Sequence, residues 1–166
     1  MNLYERKFEE NNKNPLAWRN KSSDLFKSAH VLWDAMDNNN DLFYCLSPYK
    51  MLMGMSFELL FKAICIQREV EFKHSHNLFN LSQSANVSLT KEEVSILKIL
   101  TEYIVWDGKY PNPKGKDNFE HHRQNENKVV SDHFNIGNLN LQRRNHKLDF
   151  EPLAKMWRKY EAAYVI

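Results

Sequence analysis

The sequence predicts an all-α helical bundle, and three observations carry that expectation. Glycine is scarce, four in 166 residues, whereas a β-sandwich or barrel needs a turn every dozen residues or fewer. Apolar residues recur at three- and four-residue spacing over long stretches. The breaks between those stretches hold helix starts and stops: Asn14–Pro15, Ser47–Pro48, Thr90 with Glu93, and Gly108. Neither an internal repeat nor a strand pattern stands out. The expected architecture is up-and-down, with four long helices and one or two short ones.

Each element follows from a local signal. Asn14 and Pro15 open a first helix, in which Trp18, Ser22, Leu25, Phe26, Ala29, Leu32, Trp33 and Met36 share a face until the run DNNND, Asp37–Asp41. Ser47–Pro48 opens a second, to about Glu71, that is apolar on most sides; such a helix threads the middle of a bundle or shares a face with a second subunit. A short helix is expected from His76 to Ala85. Thr90 and Glu93 form a T-x-x-E capping box ahead of Val94, Leu97, Leu100 and Ile104. Gly108 then stops that helix, and Pro111 and Pro113 forbid its resumption. Residues 109–148 are polar and Asn-rich, which leaves open a long polar loop or a partly helical insertion around Asn118–Phe134. Asp149 is expected to cap a last amphipathic helix running to Ile166, with Phe150, Leu153, Trp157, Tyr160 and Tyr164 on one face.

At 166 residues the chain suits one domain, 1–166, with a proper core. Hydrophobic content of 42% and charged content of 27% exclude disorder of the whole chain. With 23 basic and 21 acidic residues the net charge is only +2, so nucleic-acid binding would need a local patch. Cys45 and Cys65 read as free thiols in a reducing cytoplasm. The start MNLYERKFEE lacks an apolar h-region, so no signal peptide is expected. The apolar run Met51–Ile66 is interrupted by Ser56, Glu58 and Lys62, and no membrane span is expected.

Around the helix stop, Lys109, Lys114 and Lys116 flank Tyr110 on a proline-stiffened loop. Cations beside an aromatic plane suit an anionic, base-bearing ligand by phosphate contact and base stacking. Arg123, Lys128, Arg143, Arg144 and Lys147 add charge downstream. The competing reading is a solvated loop with Tyr110 packed on the bundle. A Walker A loop is rejected: Gly108 and Gly115 stand six residues apart where that motif needs four, Asp117 holds the Ser/Thr position, and a helix precedes it.

Three segments in order, SFELLFKA (Ser56–Ala63), HNL with Leu81 (His76–Leu78), and GKYP (Gly108–Pro111), resemble the HEPN superfamily of small helical bundles. There the patterns run roughly E-x-x-x-K-A, H-D-L-x-x-L and R-Y-P; here Asn77 replaces Asp and Lys109 replaces Arg. The resemblance covers about residues 15–111 and, more weakly, the last helix. It implies a bundle linked to nucleotide or RNA binding in toxin–antitoxin or anti-phage systems, and a homodimer. Ribonuclease members carry an Arg, four to six positions, then His on the last helix. Here that helix has Arg158 and no histidine, which argues against a standard ribonuclease centre. Arg68 and His74 match the count elsewhere, at the end of the second helix.

Glu58 and Lys62, four apart, suit an ion pair at the bundle's edge or, with His76, a polar groove or dimer seam. His74 and His76 point apart at a helix start and lack a third ligand. Glu120, His121, His122 and His133 match no zinc pattern, and no metal or other cofactor is expected. The four tryptophans read as packing residues, with Trp106 one turn before the loop. Three functions are therefore carried forward. The first is a non-catalytic or atypical HEPN-like binder of nucleotide or RNA through Lys109, Tyr110, Lys114 and Lys116. The second is a metal-independent ribonuclease with a displaced centre drawn from Arg68, His74, Arg123 and His133. The third is a protein-interaction module using Met51, Met53 and Met55 to bind or neutralise a cognate partner chain.

Overall fold

In the computed structural model, which describes residues 2–164, seven α-helices and one β-hairpin follow in the order α1 (Leu3–Lys13), α2 (Pro15–Asn38), α3 (Leu46–Gln67), α4 (Leu78–Ser84), α5 (Lys91–Glu102), α6 (Lys116–Val130), β1 (Ser131–Ile136), β2 (Leu139–Arg144) and α7 (Phe150–Glu161). A 3-10 turn, Asn40–Cys45, joins α2 to α3, and a π-helical turn, Tyr103–Asp107, ends α5. The all-α expectation holds for the body of the fold. The expected continuation of the last helix stops at Glu161, and its final two positions lie outside the described residues.

α3 threads the centre. Met53, Phe57, Leu60, Phe61 and Ile64 are fully covered by α2, α4, α5 and α7 of the same chain. The methionines are covered too, Met53 fully and Met51 and Met55 in part. Small residues set the spacing between helices: Ser22 of α2 donates to the Ser56 carbonyl of α3 at 2.6 Å, and Trp157 Nε1 of α7 donates to Ser22 Oγ at 3.3 Å. Trp157 stacks on Phe26 with ring centroids 4.4 Å apart. Both cysteines are free.

The caps explain the boundaries. Asn14 accepts from Leu16 N–H, and Thr90 and Glu93 exchange both capping-box bonds at 3.1 and 2.7 Å. Asn77 accepts from Asn80 N–H, so the short helix starts at Leu78 rather than His76. α3 stops four residues before Glu71 because a Schellman turn closes it: Val70 N–H donates to Cys65 O and Glu69 N–H to Ile66 O, with Glu69 at φ 55°. Asp149 sits at the cap of α7, but its carboxylate bonds His146 Nδ1 at 2.7 Å instead of a backbone N–H.

Two elements depart from expectation. An added N-terminal helix, α1, is opened by its own Asn2–Glu5 capping box, has no buried residue, and is tied to α2 through Trp18 Nε1 and the Asn12 carbonyl. Residues 109–148 are not one polar loop but helix α6 followed by an antiparallel hairpin. The hairpin overturns the expectation of no strand. It turns through Gly137–Asn138, with Gly137 at φ 59°, and pairs Phe134 with Leu141 and Ile136 with Leu139.

Candidate functional site

Gly108 is required for a reason other than a left-handed helix stop. Its φ is −77°, an ordinary helical value, but a Cβ there would lie 2.4 Å from Met51 Cβ and 2.8 Å from the Tyr103 carbonyl. The Gly108 N–H donates to that carbonyl at 3.0 Å, five residues back, which is the π-turn bond. The close approach seats the loop against α3. From there residues 109–115 cross to α6 and close one side of a groove.

That groove, about 1310 Å³, runs between α5, the loop and α6. Lys98 of α5, Lys114 of the loop and Lys128 of α6 stand in its wall with Tyr110 and Trp106. The single carboxylate among the wall residues, Glu102, accepts from Trp106 Nε1 at 2.8 Å. Tyr110 is 59% exposed and so presents an open ring. Of the four loop residues singled out by sequence, Tyr110 and Lys114 belong to the groove. Lys109 lies outside its wall with Nζ 5.8 Å from the Tyr110 centroid, and Lys116 opens α6 exposed.

A largely buried polar network ties α6 to α3 and to the turn that ends α5. Lys50 of α3, 4% exposed, donates to Glu126 Oε1 of α6 at 2.6 Å and to Tyr103 Oη at 2.9 Å. Tyr103 Oη in turn donates to Glu126 Oε1 at 2.5 Å. Arg123 reaches Asp107 at 3.1 Å and Glu126 at 3.3 Å, and His122 Nε2 donates to Asp107 Oδ2 at 2.9 Å. His122 Nδ1 is buried without a hydrogen-bond partner among the described residues. Burial pushes the Lys50 ammonium below its ordinary range, offset in part by Glu126. Burial also raises the Tyr103 phenol, reinforced by the Glu126 charge. Burial alone would raise the Glu126 carboxyl, but the Lys50 charge and the bonds from Lys50 and Tyr103 hold it below its ordinary range.

The polar groove residues are brought together on another face. Glu58 Oε1 accepts from Lys62 Nζ at 2.6 Å, and Glu58 Oε2 lies 2.9 Å from His76 Nδ1. Lys62 also lies 5.8 Å from the Trp18 ring. Glu58 and Lys62 are buried, whereas His76 faces solvent.

The displaced Arg/His candidates are dispersed among separate roles. Arg68 donates to the Ala85 carbonyl at 2.6 Å and to Ala163 at 3.2 Å, clipping the ends of α4 and α7 to α3. His74 packs edge-on to Phe72. His133 is exposed on β1 opposite Gln142. Arg123 alone joins a polar cluster, and its histidine neighbour there is His122. Among the described residues no group of three or more His, Cys, Asp or Glu is placed to hold a metal ion, and no helix is long and apolar enough to cross a membrane.

Lys50, Asp107 and Glu126 were missed by sequence reasoning. Lys50 did leave a signal, as a charge near the start of a largely apolar helix. Glu126 had none, because the polar helix α6 gives no clue to which of its charges is buried. Comparison with known proteins returns no family model, no curated protein and no solved structure that matches the chain.

Proposed function

We propose that the protein binds a nucleotide or a short single-stranded RNA segment in the groove between α5 and α6. The observation that carries this reading is the meeting of Lys98, Lys114 and Lys128 with the open ring of Tyr110 in one concave wall. Lysines there would neutralise phosphates, and Tyr110 would offer a face to a base. The HEPN resemblance implies the same ligand class and a toxin–antitoxin or anti-phage setting, with a homodimer as the assembly.

A cleaving version would rest on Arg123 and His122, which share the Asp107 carboxylate. His122 is 2% exposed, too enclosed to take a proton from a ribose hydroxyl, so binding without cleavage is the reading supported best. Equilibrium anisotropy with end-labelled RNA, followed by gel analysis after incubation in chelator, tests both parts. Binding with intact RNA is expected. Absence of binding removes the proposal, and chelator-resistant fragments replace it with the ribonuclease.

A further inference from the structure

α6 divides two cavities. His122, Asn125, Lys128 and Val129 face the groove, whereas Arg123, Glu126, Asn127 and Val130 face a second, open pocket of about 480 Å³ bordered by the start of α3 and the hairpin. The second pocket is polar and rich in donors. Lys50 gives two of its three ammonium protons to Glu126 and Tyr103, which leaves the third. Ser131 Oγ accepts from Gln142 at 2.6 Å and retains its own proton to donate.

Two further observations point to a missing anion. Arg123 is matched by Asp107 and Glu126, and Lys147 by Glu92 at 2.8 Å. Arg144, exposed at the end of β2, shares the pocket wall with Lys50 and has no carboxylate partner among the described residues. Glu126, in the same wall, matches Lys50, which leaves Arg144 as the charge without a counterpart there. The pocket also receives the N-terminus of the 22-residue α3, where Ser47 lines the wall and, among the described residues, no side chain caps the helix. The helix dipole favours negative charge there.

We propose that this pocket is a phosphate-binding site, independent of the groove, in which Arg144 and Lys50 hold a phosphate group while Ser47 and Ser131 donate to its oxygens. The phosphate is either the free ion or the 5′-phosphate of a nucleotide; both present the same oxygens.

Isothermal titration of the full chain with sodium phosphate, against chloride at equal ionic strength, tests the site. Adenosine 5′-monophosphate and adenosine form the second arm. Arg144→Gln should weaken phosphate binding about tenfold or more, as loss of a charged hydrogen-bond partner does. Arg144→Lys should keep most of it. Arg143→Gln removes the same charge from the adjacent residue, whose side chain points to the opposite face of the strand, and should leave binding unchanged. Tighter binding of the monophosphate than of inorganic phosphate, lost in R144Q, assigns the group to a nucleotide end; equal or weaker binding assigns the free ion. No phosphate binding by the parent chain overturns the proposal. So does equal weakening by R143Q and R144Q, which would mark a diffuse surface field.

Discussion

Lys50 and Glu126 meet at 2.6 Å across 76 positions of sequence, and Tyr103 bonds both. This triangle fastens α6, the shared wall of both cavities, to the central helix. Breaking a largely buried ion pair on one side strands the other charge, at a cost of about 3–5 kcal/mol. Glu126→Gln should therefore lower stability by about that amount in urea unfolding. The double variant Lys50→Met/Glu126→Gln should recover part of it.

The same pair gives a pH signature. Glu126 is held below its ordinary carboxyl value of 4.5, and a depressed carboxyl stabilises the fold above its unfolded value and ceases to do so as pH falls through its folded one. Stability should thus drop in acid below about pH 4.5, and less steeply in E126Q. In alkali, the raised Tyr103 phenol adds stability that is full below pH 10 and declines above it, because the folded chain keeps a proton that the unfolded chain releases. Urea midpoints measured across pH supply the check.

Arg68 provides a contrast between structural and functional roles. Its guanidinium bonds two backbone carbonyls at helix ends, so Arg68→Ala should cost about 1.5–3 kcal/mol, the range for hydrogen bonds to a charged group. RNA affinity of the folded variant should match that of the parent. A selective loss of RNA binding or cleavage at unchanged stability would return Arg68 to the site.

Glu69 holds the left-handed position that ends α3, where glycine carries no side-chain penalty. Glu69→Gly should stabilise the chain by about 0.5–1 kcal/mol. A lower melting temperature than the parent's would contradict this.

How legible the fold was depended on whether each signal was local. The starts at Asn14–Pro15 and Thr90–Glu93 were readable because a cap is decided within four residues. The central position of α3 was readable from its all-round apolarity. The hairpin was also written locally, as FNI and LNL alternating on either side of Gly137–Asn138, but its apolar side chains stay partly exposed and the Asn-rich composition masked the alternation. The site divided in the same way. Glu58, Lys62 and His76 came together, two of them spaced four apart on one helix. Tyr110 and Lys114 were placed in the groove by a loop already marked by its prolines. Lys50 with Glu126, and Asp107 with His122, could not be paired in advance, because each joins helices whose relative rotation only the packed core decides. Gly108 was foreseen for the wrong reason, since contact with Met51 is a tertiary fact.

The central claim is that lysines of the α5–α6 groove neutralise phosphates of a bound single strand. The direct test is the salt dependence of affinity for a labelled single-stranded RNA, measured for the parent and for Lys114→Ala. The account predicts that log affinity falls linearly with log salt, and that the variant's slope is shallower by about 0.7–1 unit. Affinity indifferent to salt, or a K114A slope equal to the parent's, would contradict it.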